Sequence, residues 1–156
     1  MSQEDQMAGI ETVTGQCRFL FEKYHYKVVG STEFANTENW LVVLASPASG
    51  RLLVLQDRGE VIVALAPPSN APTATAGPWF DLAVVLEYLK CGEDRRARMP
   101  GDVDAQLAGW AAALQPCMPQ VQELFGTAAF DAAHAELDWI GDRREAELAW
   151  QDNELN

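Results

Sequence analysis

Three apolar runs between residues 40 and 66 are separated by two short connections rich in turn-forming residues. The connections cover residues 46–50 and 57–60, and links this short join neighbouring strands only in the antiparallel direction. The runs are almost continuously apolar, which is typical of strands buried on both faces of a sheet. The pattern therefore predicts a β-meander that is covered on both sides.

Other segments around the meander have their own periodicity. The spacing predicts a helix from Thr14 to about Tyr24 and a first strand from Tyr26 towards Phe34. Apolar residues then recur at helical spacing from residue 78 onwards. We therefore predict an α+β fold with an N-terminal helix, a four-stranded antiparallel β-meander and three to four C-terminal helices packed on the sheet.

Helix boundary signals divide the second half of the chain. Pro78 suits the first turn of a helix, and Asp102 and Thr127 are suitable N-cap residues. Gly126 is placed to end the helix before Thr127. These signals predict where the C-terminal helices begin and end.

The domain organisation follows from composition. We expect a flexible lead-in over residues 1–13, a single domain over 14–150 and a flexible tail over 151–156. Residues 67–77 are rich in Pro, Ala, Ser and Thr and predict a loop within that domain.

The net charge of −12 narrows the classes of partner. Residues 1–78 carry 5 basic and 8 acidic side chains, whereas residues 79–156 carry 6 and 15. Nucleic acids and anionic membranes attract proteins through Lys and Arg, so this charge disfavours both as partners. Another protein, including a basic one, remains the expected partner.

Cysteine use and the N-terminal residues bear on the compartment. Cys17, Cys91 and Cys117 are odd in number and widely spaced, which we interpret as free thiols in a reducing cytoplasm. Residues 1–6 lack the basic and apolar regions of a signal peptide, and no apolar run is long enough to cross a bilayer. We expect a cytoplasmic protein.

Asp57 and Arg58 form the most polar cluster next to the predicted sheet. The pair could hold a carboxylate or a phosphate group. Asp, however, favours the start of a turn, and Gly59 supplies a positive φ angle, so we prefer a hairpin turn between Asp57 and Glu60.

Two further clusters have both chemical and structural interpretations. Asp131, His134 and Asp138 share one side of a helix and could bind a divalent metal, but a solvated helix face is the simpler interpretation. Cys17 beside Arg18 could be a reactive thiolate, although its place on an apolar helix face favours a buried structural Cys. We predict no catalytic, cofactor or metal site.

The basic cluster Arg95, Arg96 and Arg98 could receive an anion. Acidic residues flank it on both sides, so we interpret it as a locally neutralised loop.

Residues 19–29, 56–61, 79–82 and 85–89 together resemble small uncharacterised bacterial proteins, some of which look like immunity proteins of polymorphic toxin systems. The resemblance covers about residues 16–90, and its motifs are structural. It implies a binding role, since immunity proteins often cover the basic active site of a nuclease with a negative surface. No catalytic residue is carried over.

Two functional hypotheses follow. The first is a non-enzymatic, immunity-like domain that binds another protein. The second is a ligand-binding or enzymatic domain with a pocket between the sheet and the C-terminal helices. Aromatic residues would line that pocket and Asp57 or Arg58 would orient a polar group; the aromatic residues are Trp79, Phe80, Tyr88 and Trp110.

The last helix predicts self-association. If it is continuous to Trp150, Trp139 and Trp150 share one face with several alanines, opposite a face formed by Phe130, Leu137, Ile140 and Leu148. Two apolar faces favour a homodimer through the last helix. The alternative is that Gly141 ends the helix and the two tryptophans point in unrelated directions.

Overall fold

The structure is a computed structural model that describes residues 3–69, 77–92 and 98–155, with side chains described between residues 8 and 150 of these ranges. Within them, two helices come first, α1 (Gln3–Gln16) and α2 (Arg18–Glu22). Five strands follow: β1 (Lys27–Glu33), β2 (Trp40–Ser46), β3 (Gly50–Asp57), β4 (Glu60–Ala66) and β5 (Phe80–Asp81). Four more helices complete the chain: α3 (Leu82–Leu89), α4 (Val103–Leu114), α5 (Met118–Phe125) and α6 (Ala129–Leu155), with a 3-10 turn (Gln115–Cys117) before α5.

The strands form one antiparallel sheet in the order β1-β2-β3-β4-β5. The α+β class and the meander are therefore confirmed, but the sheet has five strands and not four. The added strand pairs Phe80 with Leu65 and Asp81 with Ala64. Burial of Phe80 holds the chain extended here, so the helix predicted to start at Pro78 begins at Leu82.

One face of the sheet carries the core. Inward side chains of β2, β3 and β4 belong to the same apolar cluster as those of the helices. On the opposite face, Leu41, Leu53 and Leu55 are half-buried, whereas Val43 and Ala64 are buried. The prediction that both faces are covered is thus met fully by one face and partly by the other.

The prediction of a flexible lead-in over residues 1–13 needs correction. Residues 3–16 form α1, which ends two residues after the predicted helix start at Thr14. Val13 is completely buried, and a Cβ at Gly9 would lie 2.8 Å from the Trp40 ring. This close packing on β2, which local polarity does not reveal, stabilises the helix.

The helix boundaries near Asp102, Gly126 and Thr127 agree with their local signals. The Asp102 side chain accepts a hydrogen bond from the backbone N–H of Ala105 at 2.9 Å. Thr127 Oγ1 accepts one from the N–H of Ala129 at 3.1 Å. Helix α5 ends at Phe125, directly before Gly126.

Helix α6 passes through Gly141 without a break, so the alternative of a helix ending there is wrong. Its buried apolar residues stop at Ile140, and Leu148, which was expected on the buried face, is 44% exposed. The helix continues to Leu155, past the predicted domain end at residue 150. Of the predicted loop 67–77, residues 70–76 lie outside the described residues.

Cys91 and Cys117 form a disulfide, with their Cα atoms 6.0 Å apart. The interpretation of three free thiols is wrong, because α3 ends beside the 3-10 turn and brings together two cysteines 26 residues apart. Cys91 and Cys117 therefore no longer indicate a reducing compartment. Among the described helices, none combines the length and hydropathy that a bilayer crossing requires.

Candidate functional site

Asp57 and Arg58 lie in the hairpin between β3 and β4. Asp57 pairs with Glu60, so Arg58 and Gly59 form a two-residue turn with φ angles of 54° and 82°. The Asn39 side chain braces this turn: its Nδ2 donates to Asp57 Oδ1 at 3.3 Å, and its Oδ1 accepts from the Arg58 N–H at 2.8 Å. These contacts are those of a supported turn.

A cleft of about 530 Å³ lies beside the outer edge of β4. Its walls are residues 60–63 of β4, residues 79–84 across β5 and the start of α3, Trp110 of α4, and α6 between Leu137 and Leu148. We call it the β4 cleft. It lies where the sheet meets the C-terminal helices, which is the location of the predicted pocket.

The cleft exists because β5 is short. It pairs only with Ala64 and Leu65, so within the described residues the outer edge of β4 before Ala64 faces no further strand. Side chains of α4 satisfy the backbone there: the Val61 N–H donates to Gln106 Oε1 at 2.8 Å, and the Trp110 indole N–H donates to the Val61 carbonyl at 3.3 Å. The floor of the cleft is therefore apolar and fixed.

The rim of the cleft is acidic. Among the described residues, five carboxylates and two guanidinium groups line it: Glu60, Asp81, Asp138, Asp142 and Glu145, with Arg98 and Arg144. Both cations are engaged, since Arg98 lies 3.2 Å from Glu60, and Arg144 lies 3.0 Å from Glu87 outside the cleft. The rim consequently presents a net negative charge to a ligand.

Asp81 lies on the cleft rim, where β5 meets α3. It occupies the N-cap position of α3, but its side chain makes no capping hydrogen bond. Burial between the cleft walls raises the pKa of Asp81 above its ordinary value of 3.8; the positive charge of Arg144 lowers it in part, and the negative charge of Glu145 raises it further. Asp81 and Glu145 therefore repel each other across the cleft.

No family model, no curated protein and no solved structure matches the chain. The site is accordingly interpreted from its own geometry.

The structure brings together only some of the residues singled out in the sequence. Trp79, Phe80 and Trp110 line the β4 cleft, and the Trp79 ring also packs on the Arg51 guanidinium at 4.8 Å. Tyr88 packs against the core, and neither Asp57 nor Arg58 is among the described residues that line the cleft. The hypothesis that this hairpin orients a ligand in the cleft is therefore corrected. Its polar groups lie outside the cleft lining and are hydrogen-bonded to the Asn39 side chain.

Trp139 and Trp150 lie elsewhere, on a solvent-facing side of α6. Their side chains are 61% and 63% exposed, respectively. They do not contribute to the walls of the β4 cleft within the described residues.

His134 is held by packing and by one carboxylate. Its ring stacks on Phe130 at 4.9 Å and meets the edge of Phe80 at 5.6 Å, and its Nε2 lies 3.4 Å from Asp138. Among the described residues, no group of three His, Cys, Asp or Glu side chains could hold a metal ion. His134 is therefore a packed side chain paired with Asp138, and its contacts are not those of a metal ligand.

Cys17 lies in the core, and burial raises the pKa of its thiol to about 12. This direction is opposite to that of a reactive thiolate, so Cys17 is a structural residue. Of the basic cluster, Arg98 pairs with Glu60, while Arg95 and Arg96 lie outside the described residues.

Sequence reasoning missed the carboxylates that define the cleft. Local signals place Asp81 in the first turn of the helix predicted to start at Pro78, where a carboxylate is favoured. If a new helix began after Gly141, Glu145 would fit the capping-box spacing at its start. Because α6 continues past Gly141, Glu145 lies one turn after that glycine, on the side of the helix that lines the cleft. Pairing between residues far apart in the chain, which brings Asp81 and Glu145 together, has no local signal.

Proposed function

We propose that the protein binds another protein and that the β4 cleft accepts a basic segment of that partner. The observation that carries this proposal is the pair Asp81 and Glu145, two like charges that line the same apolar floor, where the Arg144 guanidinium that attracts Asp81 is already paired with Glu87. A Lys or Arg side chain placed between them would relieve their repulsion, and its methylene groups would pack on the floor. The chain's net charge of −12 attracts such a partner from a distance.

An immunity-like role is the specific form of this proposal. The partner would be a toxin with a basic surface, and the cleft would hold one or more of the cationic side chains that the toxin uses on its own substrate. The protein would act by occupancy and without catalysis. The resemblance of residues 16–90 and the acidic cleft both support this role.

Binding of a small organic cation is a second candidate function for the same cleft. A volume of about 530 Å³ lies in the range of pockets that hold small ligands. Trp79 and Trp110 supply aromatic surface beside the carboxylates, which suits a ligand with an aromatic body and an amine.

Titration calorimetry with a synthetic Lys- and Leu-containing peptide tests the main proposal. The double variant Asp81→Asn/Glu145→Gln should bind the peptide at least about tenfold more weakly than the parent. The matched control is Asp104→Asn/Glu123→Gln, which removes two exposed carboxylates from α4 and α5, outside the cleft. It should change the dissociation constant by less than about threefold, and added salt should weaken binding by the parent.

Equal losses in the two double variants would mean that the peptide responds to overall charge, and the cleft would be excluded as the binding site. An arylalkyl amine such as tryptamine tests the second candidate. Binding of the amine without binding of the peptide would favour the small-ligand function over the protein-binding one.

A further inference from the structure

Helix α6 carries an exposed apolar face that is separate from the β4 cleft. Its members lie within an arc of about 60° around the helix axis, and all are exposed: Ala132, Ala135, Trp139, Ala146 and Trp150. We call this face the Trp stripe. Large aromatic side chains seldom remain so exposed along one helix face unless another surface covers them.

Trp139 has a cation–π partner on its own helix. The Arg143 guanidinium lies 5.5 Å from the centre of its ring. Arg143 is itself held by an ion pair with Glu87 on α3. A surface whose side chains are already ordered loses less conformational entropy on binding.

We propose that a second copy of this chain covers the Trp stripe, with the two α6 helices antiparallel and centred between Asp142 and Arg143. In this register Trp139 of each copy lies level with Ala146 of the other. Trp150 lies level with Ala135 in the same way. Each large side chain therefore meets a small one, and the two-fold axis repeats both contacts.

The register also gives Trp139 a socket. On the second copy, residues at relative spacings of 0, 3, 4 and 7 surround one point of a helix surface, as in knobs-into-holes packing. For Trp139 the socket is formed by Arg143, Ala146, Glu147 and Trp150. A parallel pairing in register would instead set Trp139 against itself and leave the alanines facing a gap.

The area of the stripe indicates a weak dimer. With about 60% of each ring exposed, every tryptophan can bury roughly 150 Å². Even with the alanines added, the interface lies near the lower end of specific interfaces, below about 1,200 Å². Helix α6 carries eight acidic and two basic residues, so the copies repel and salt should strengthen their association.

Analytical ultracentrifugation of the purified chain from about 1 to about 200 µM tests the proposal. The parent should show a monomer–dimer equilibrium that shifts towards dimer as sodium chloride rises from about 50 to about 500 mM. Trp139→Ala should raise the dissociation constant at least about tenfold. Leu148→Ala, which removes an exposed apolar side chain from the cleft side of the same helix, should leave it unchanged. A parent that remains monomeric throughout overturns the proposal.

A large-to-small exchange tests the register. Ala146→Trp alone should weaken the dimer, because two indoles would meet at one level. The double variant Trp139→Ala/Ala146→Trp should restore the dissociation constant to within about threefold of the parent, since the pair is only exchanged. Circular dichroism would check that each variant keeps its helices. A double variant as weak as Trp139→Ala contradicts the register.

The proposed dimer does not depend on the proposed binding function of the cleft. The cleft variant Asp81→Asn/Glu145→Gln should dimerise like the parent, and Trp139→Ala should bind the basic peptide like the parent. The two responses to salt are also opposite in sign, so failure of one proposal is distinguishable from failure of the other.

Discussion

Gln106 on α4 provides the hydrogen bond that a neighbouring strand would otherwise give to Val61 on β4. Its Oε1 accepts from the Val61 N–H at 2.8 Å, and its Nε2 donates to the carbonyls of Gly59 and Gly101 at 2.7 and 2.9 Å. The side chain is 5% exposed. One buried amide therefore joins the β3–β4 turn, the open edge of the sheet and the start of α4.

Gln106→Leu should lower the free energy of unfolding by about 2–4 kcal/mol, because it leaves the buried N–H of Val61 and the part-buried carbonyl oxygen that Gly59 offers to Gln106 without this partner. Urea unfolding followed by circular dichroism measures the change. Gln120→Leu, at an exposed position of α5, serves as the control and should change stability by less than about 0.5 kcal/mol. Equal effects in the two variants would refute the role assigned to Gln106.

The Cys91–Cys117 disulfide predicts a thiol count and a response to reductant. Thiol titration in denaturant should find one thiol per chain, that of Cys17, and not three. Reduction should lower stability by about 3–4 kcal/mol, the value expected from closing a loop of this length in the unfolded chain. Cys91→Ser should show no response to reductant, and three titratable thiols in the parent would exclude the bond.

The parts of the fold that the sequence predicts are those set by local chemistry. The meander follows from apolar runs joined by short turns, and the caps at Asp102 and Thr127 act within a few residues of their own position. Strand β5 has only two residues, too few for any periodicity, and forms because Phe80 packs beside Leu65. Helix α1 likewise depends on a distant residue, Trp40, against which Gly9 lies.

The candidate site also has one part that the sequence predicts and one part that depends on residues far apart in the chain. Trp79 and Trp110 could be assigned to a pocket because large aromatic residues gather where a sheet meets helices. The charges could not be assigned, since Asp81 and Glu145 are 64 residues apart in the sequence numbering and only α6, by remaining helical past Gly141, brings them together. Asp57 and Arg58 are a polar pair in the sequence, but the Asp57 carboxylate and the Arg58 backbone N–H both bond to the Asn39 side chain within the turn.

Arg58 occupies a backbone conformation that most residues avoid, with φ at 54°. Two-residue hairpin turns of this kind favour Asn followed by Gly, and Gly59 already provides the second residue. Arg58→Asn should therefore raise the free energy of unfolding by about 0.5–1 kcal/mol, since Asn tolerates the left-handed region. Thermal unfolding measures it. Arg58→Ala removes the same side chain and keeps the strain, so an equal gain in both variants would contradict this explanation.

Glu87 ties α3 to α6 and gives the fold a defined dependence on pH. Its carboxylate contacts Arg144 at 3.0 Å and also Arg143. Burial raises the pKa of Glu87, but hydrogen bonds from Arg144 and Arg143 outweigh this effect, and the pKa lies below its ordinary value of 4.5. A carboxyl group with a lowered pKa in the folded state stabilises the protein above pH 4.5, and this contribution is lost as the pH falls through the lowered value.

Glu87→Gln should lower the free energy of unfolding by about 1–3 kcal/mol near neutral pH, because two partly buried guanidinium groups lose a charged acceptor. The difference from the parent should shrink steadily as the pH falls below 4.5, the ordinary value. Urea unfolding at several pH values measures this. Glu147→Gln is the control: it faces Arg143 at 3.6 Å from a side chain that is 62% exposed, and exposed pairs contribute little. A loss in Glu87→Gln that stays constant with pH would assign the effect to packing and not to charge.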